Sequence, residues 1–171
     1  MIVEGFLHTK DLKKYFGRLL VFTIISEVPY DIARSKTLFD PMSQNVLWTF
    51  LIAIIMLWCF QKYNFERKKS KTILIIAIAA ALSILSDGGI GGILLIASMY
   101  LFRECKKKYW IGCIVSTIIL AFQFMWIQVV ALLAIFFIEQ YNGTRGRECK
   151  YIFYVFYPAH FLILAFVASM I

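Results

Sequence analysis

The sequence predicts an all-α fold, a polytopic membrane helix bundle of about six or seven short transmembrane helices. Three observations carry that expectation. Of the 171 residues, 61% are hydrophobic and only 16% charged, and the mean hydropathy is +0.78, a balance that does not keep a monomeric globule in solution. The 18 Lys and Arg residues fall into short clusters between apolar runs, as the positive-inside bias places them. The runs themselves fill residues 1–171 as a single integral-membrane domain, since each crossing takes roughly 20 residues.

The same features exclude other classes. A formal charge of +8 suggests nucleic acid only when the basic residues line one face, and here they flank apolar stretches instead, so no nucleic-acid partner is expected. Cys59, Cys105, Cys113 and Cys149 show neither metal-ligand spacing nor a secreted disulfide framework. No metal is expected, and the thiols read as reduced.

In chain order, Met1–Leu7 reads as the tail of an apolar helix and lacks the pattern of a signal peptide, so the chain is expected to be missing its natural start. Lys10, Lys13, Lys14 and Arg18 place the amino-terminal end in the cytoplasm. A helix over Tyr15–Val28 crosses outward and is expected to stop at Pro29 and Asp31, because proline pushes the residue before it out of the helical region. Residues 30–45 form an outer loop with Asn45 as the N-cap of the next helix, Val46–Phe60, which returns inward.

Lys62, Arg67, Lys68, Lys69 and Lys71 are the strongest inside signal. The run 72–102 that follows is broken by Ser86-Asp87-Gly88-Gly89-Ile90-Gly91-Gly92, where glycines predict two short crossings meeting at an outer hairpin with Asp87 at its tip. The run 110–138 has Gln123 and Gln128 as its main polar interruptions; it is either two short elements turning between them or one tilted helix. Tyr141–Gly146 is a turn-rich cytoplasmic loop, and Tyr151–Met170 crosses outward carrying Pro158 and His160.

Candidate functional residues are the ionisable groups that such a chain keeps at a cost of at least ~2.5 to 3.5 kcal/mol each near the centre of a membrane helix. His160, ten residues into a span, is suited to proton exchange near neutral pH, against a plain buried histidine. His8 lies near the inner interface, where a solvated histidine is cheap, and Glu4, like Asp87, is a carboxylate that the apolar context shifts towards neutrality unless paired. Arg18 either snorkels to headgroups or clamps a phosphate or carboxylate. Glu27 and Asp31 are four residues apart, with Pro29 between them arguing against a shared helical face. Asp87 is either an intramembrane carboxylate or a helix cap. Asn142 with Arg145 is a turn or a contact for a nucleotide phosphate.

Val3-Glu4-Gly5-Phe6 with His8-Thr9, Ser26-Glu27-Val28-Pro29-Tyr30-Asp31, Tyr141-Asn142-Gly143 with Arg145-Gly146, and Phe156-Tyr157-Pro158-Ala159-His160 together resemble the TraX family, in order from residue 3 to about residue 164. That bacterial family is named for a conjugal-transfer protein associated with acetylation of the pilin amino terminus, and it is similar to integral-membrane acyltransferases. The resemblance implies a multi-pass protein of the bacterial inner membrane that transfers an acetyl group from acetyl-CoA, bound from the cytoplasm, to an amine or hydroxyl acceptor such as a peptide amino terminus or a glycan. It implies catalysis by His160, Asp87, His8 and Glu27, donor binding by Arg18, Arg145 and Asn142, and acceptor binding by Glu4, Asp31, Asn45 and Gln128, with Asn45 or Gln128 as the oxyanion donor. It further implies amino-terminal helices with an Asp-His pair preceding Val3, so the chain is expected to be a shortened member. A small transporter built on broken helices, or a non-catalytic remnant or assembly factor, stands as the alternative.

Overall fold

The computed structural model describes residues 2–63, 69–123, 140 and 150–170. They form seven helices: α1 (Ile2–His8), α2 (Leu12–Ser35), α3 (Val46–Tyr63), α4 (Lys69–Leu82), α5 (Gly89–Leu101), α6 (Lys106–Gln123) and α7 (Lys150–Met170). The fold is all-α, and no strand occurs among the described residues. An isolated parallel bridge joins Gln44 to Ser86.

α3 is the centre of the packing. It is apolar all round, a pattern stable only where a helix is buried or in lipid. Leu51, Ala53, Ile54, Met56, Leu57 and Phe60 are buried, and α1, α2, α4 and α5 pack around them. Among the described residues, α3 is the one helix long and apolar enough to cross a membrane by length and composition; Gly89–Leu101 and Val155–Met170 are apolar but shorter. Of the expected bundle of spanning helices, the helices are therefore present, and one has the length and composition of a span.

The expected stop at Val28 does not occur. Asp11 caps α2, its carboxylate accepting from the Lys14 amide at 3.1 Å. The helix then runs 24 residues through Pro29 to Ser35 and is capped by Lys36, whose φ of 56° lies in the left-handed region. An interior proline costs about 3 kcal/mol, by losing one backbone hydrogen bond and crowding the carbonyl four residues back. Pro29 is buried together with Tyr30 and Asp31, so packing offsets that cost. Glu27 and Asp31 consequently share a face, which Pro29 had argued against.

The hairpin expected around Asp87 is present, but its glycines act differently. α5 starts at Gly89, whose φ of 49° turns the chain, and carries Gly91 and Gly92 inside the helix. Close approach explains Gly91 and, in the turn before the helix, Gly88: a Cβ on Gly91 would stand 2.8 Å from the backbone nitrogen of Leu120 on α6, and one on Gly88 would stand 2.6 Å from the Thr49 hydroxyl on α3. Small residues let neighbouring backbones meet in this way. α6 begins at Lys106 and not at Trp110, since lysine is itself a good helix former. The expected turn between Gln123 and Gln128 lies outside the described residues.

Candidate functional site

α2 is built inside out. Thr23, Ser26, Glu27, Tyr30 and Asp31 recur at spacings of three and four and are all buried, while Val21, Ile24, Ile25 and Val28 on the other face are each about half exposed. Three- and four-residue spacing puts side chains on one helical face, so the polar stripe points into the protein and the apolar stripe out of it. Soluble helices show the reverse arrangement.

The inward stripe converges on Glu27. Its Oε2 accepts from the Trp48 indole N–H at 2.9 Å and from the Asn45 carboxamide. Asn45 is fully buried; the same Nδ2 also donates to the Thr23 carbonyl at 3.1 Å, and its Oδ1 accepts from the Leu47 amide at 2.9 Å. Asn45 is thus the expected N-cap of α3 and at the same time the clamp on Glu27. One turn further along α2, Asp31 is also fully buried and accepts from the Asp40 amide at 3.0 Å. Glu27 Oε1, Asp31 Oδ1 and the Ser26 hydroxyl have no hydrogen-bond partner. Buried polar atoms are nearly always paired, so three such atoms on one helical face set this stretch of α2 apart.

The loop after α2 and the α4–α5 hairpin close one side of this cluster. Gln44 bonds to both residues flanking Ser86, its carbonyl accepting from the Asp87 amide at 2.8 Å and its amide donating to the Leu85 carbonyl at 2.8 Å. Arg34 donates to Asp87 and to the Tyr30 hydroxyl, at 2.9 and 2.8 Å. Asp40 accepts from the Ser35 hydroxyl at 2.5 Å and from the Met42 amide at 3.1 Å. Those bonds, the Ser35 one first, hold its carboxyl below the usual carboxylate range.

α7 supplies the remaining wall. The Tyr157 hydroxyl is buried and has no hydrogen-bond partner. Phe161 meets Tyr30 edge to face at 5.3 Å between ring centroids. His160 packs between Tyr157, at 5.3 Å, and Phe161, at 4.1 Å. Its Nδ1 lies 3.2 Å from the Phe156 carbonyl of its own helix, which leaves Nε2 as the nitrogen able to reach outward.

Of the residues singled out in the sequence, Glu27, Asp31, Asn45 and Asp87 come together here, with His160 one ring behind. Glu4 and His8 do not join them. Their side chains pair with each other at 3.3 Å on the exposed face of α1, a helix held by Phe6 against Tyr100 of α5, whose ring also meets Phe60 of α3. Phe60 follows Asn45 by fifteen residues, about 22 Å along a helix. Arg18 precedes Glu27 by nine residues, about 13 Å along the axis and on the opposite face of α2. Gln128, Asn142 and Arg145 lie outside the described residues. Sequence reasoning quoted Ser26, Tyr30 and Tyr157 only within the motifs of the family resemblance and gave them and Trp48 no role, although the three- and four-residue spacing of polar residues from Thr23 to Arg34 was there to be read. Among the described residues, no group of three or more His, Cys, Asp and Glu residues is arranged to hold a metal ion.

Comparison with known proteins adds identity to this geometry. The chain is 28% identical over 185 residues to a protein of Dichelobacter nodosus named probable fimbrial assembly protein FimC, serogroup H1; the match covers 95% of this chain and 75% of that relative. No solved structure matches. The family described as TraX protein matches residues 1–168, and with all but three residues of the chain covered, the protein belongs to the TraX family.

Proposed function

We propose that this protein is a multi-pass membrane acetyltransferase whose chemistry is centred on Glu27. The observation that carries the proposal is the buried Glu27–Asp31 face of α2, with one free oxygen on each carboxylate and the apolar face of the same helix turned outward. Half-exposed apolar side chains continue on the other helices, among them Ile73 and Leu74 on α4, Ile111 and Val115 on α6, and Ile163 and Phe166 on α7. Apolar patches of that extent belong against lipid, and ionisable groups kept inside a lipid-embedded bundle are functional by default.

The donor, acetyl-CoA, supplies an activated acetyl group; the chain's own residues handle the acceptor. Glu27 is held in one position by Asn45 and Trp48 on Oε2, which leaves Oε1 to take a proton from an acceptor amine or hydroxyl as general base. Asp31 and the Ser26 hydroxyl orient the acceptor, whose nitrogen or oxygen bonds to the acetyl carbon as the C–S bond to coenzyme A breaks and the thiolate leaves with the proton that Glu27 took. Asn45 spends its carboxamide on Glu27 and the Thr23 carbonyl, so it positions the base and does not serve as an oxyanion donor. Asp87, engaged by Arg34, positions the wall of the site, and His160 Nε2 is the second group able to carry a proton outward. An acidic cluster repels phosphates, so the donor's phosphates belong elsewhere. Arg18, about 13 Å along α2 from Glu27 and on its opposite face, lies clear of that cluster and is a contact for the phosphates together with Arg145 and Asn142. The test is acetyl transfer from labelled acetyl-CoA in membranes holding the protein, with Glu27→Gln beside it.

A second reading draws on the name of the Dichelobacter relative: a fimbrial assembly factor without turnover. Pilus assembly restored equally by the wild type and by Glu27→Gln would favour it.

A further inference from the structure

We infer that a cleft between α2 and α3, at the end of the molecule away from Glu27, seats one anionic phospholipid. The cleft has a volume of about 330 Å³ and is lined by Leu12, Lys13, Phe16, Ile54, Ile55 and Trp58. Leu12 and Phe16 stand one turn apart on α2, and Ile54 and Trp58 one turn apart on α3, so the two rows form the walls of a channel running along the helices. Ile54 forms its buried floor, while Ile55 and Trp58 are half exposed at its open side. Such a channel takes a flexible hydrocarbon chain, whose burial is favourable for every methylene removed from water, and its walls are apolar along their length.

Charge at the rim decides which lipid. Lys13 lies in the lining itself. The Lys62 ammonium is fixed over the Trp58 ring at 4.5 Å and beside the Tyr63 ring at 5.4 Å, which holds a second cation at the mouth. Among the described residues, Asp11, two positions before Lys13, is occupied by Lys14, through its amide at 3.1 Å and its ammonium at 3.5 Å. An apolar channel capped by two lysines matches one acyl chain below one phosphate, and each basic side chain near an anionic headgroup favours it about fivefold. A nucleotide would satisfy the lysines but leave the channel empty. The lipid is therefore the occupant, and this inference rests on the membrane part of the function proposed above but not on acetyl transfer.

The test is native mass spectrometry of the detergent-purified protein titrated with phosphatidylglycerol or phosphatidylcholine. One phosphatidylglycerol should be retained in preference to phosphatidylcholine. Lys13→Glu and Lys62→Glu should each lower its retention about fivefold or more, Ile55→Trp should abolish it by filling the channel, and Lys106→Glu, the same charge change on α6, should leave it unaltered. Circular dichroism confirms that each variant is folded. Equal retention of the two lipids, equal loss from Lys106→Glu and Lys13→Glu, or a second copy of the chain in place of the lipid would overturn the inference. Carbonate extraction of the membranes separates the two premises: a chain released without detergent defeats the membrane reading, and a chain that resists release yet shows no lipid preference defeats the lipid site alone.

Discussion

Glu27 and Asp31 stand one helical turn apart on the buried face of α2, and each keeps one carboxylate oxygen without a partner. Two neighbouring buried carboxylates are costly unless paired or protonated. Their other oxygens are deliberately supplied, by Trp48 and Asn45 for Glu27 and by the Asp40 amide for Asp31. The arrangement fixes both groups and leaves one oxygen of each free, the property on which the proposed proton transfer rests.

Asp87 tests which carboxylate is the base. Its partner Arg34 is 2.9 Å away, with both side chains partly exposed, and pairs of this kind are worth about 0 to 1 kcal/mol. Asp87→Asn should therefore slow acetyl transfer by less than about tenfold, measured as initial rates in membranes. A loss as deep as that of a Glu27 variant would move the base to Asp87.

Removing Asn45 should act on stability before chemistry. Asn45→Ala strips the cap from α3, one donor from the Thr23 carbonyl and one from Glu27. Leaving buried partners unsatisfied costs about 1 to 3 kcal/mol per group, on top of about 1 kcal/mol for a cap. Thermal unfolding in detergent should show a lowered midpoint, whereas an unchanged midpoint would mean that the clamp bears no structural role.

Gly91 measures the packing of α5 on α6. A Cβ there meets Leu120 backbone at 2.8 Å, which no rotamer change relieves, so Gly91→Val should destabilise by about 1 to 3 kcal/mol. Gly17, where a Cβ meets nothing within 4 Å, is the control: Gly17→Ala should leave the midpoint unchanged or raise it.

The loop that closes the site should loosen in acid. Asp40, outside the helices, has its pKa lowered in the folded protein from an ordinary 3.8. A lowered folded value means that its contribution is complete above 3.8 and is lost as pH falls through the folded value. Hydrogen exchange of the residue 36–44 amides, corrected for the intrinsic pH dependence, should accelerate only below about pH 4. Asp40→Asn should remove that step.

Much of the fold was legible because it follows from local chemistry. The α4–α5 hairpin came from its glycines, the start of α3 from Asn45, and the helical class from hydropathy. Helix boundaries were legible less often. Pro29 is a local stop signal, and its burial against neighbouring helices overrides that signal; tertiary packing is invisible to propensity. The same override hid the site, since Glu27 and Asp31 share a face only if the helix continues. His8 and Glu4 looked equally suggestive in the sequence, but α1 packs at the far end of α3, and no local pattern reports which end of a bundle a short helix occupies. Ser26, Tyr30 and Trp48 were hidden for another reason. In an apolar chain a serine or an aromatic is usually packing, and only the geometry of Glu27 singles out these three.

Glu27 is the centre of the account, and acetyl transfer is its most direct test. Membranes carrying the protein should move labelled acetyl groups from acetyl-CoA to an acceptor above the level of empty membranes. Glu27→Gln keeps the size of the side chain and an oxygen to accept from Trp48, so the fold should persist while transfer falls about 10² to 10⁴-fold, the range for loss of a general base. Undiminished transfer by a folded Glu27→Gln protein would contradict the account.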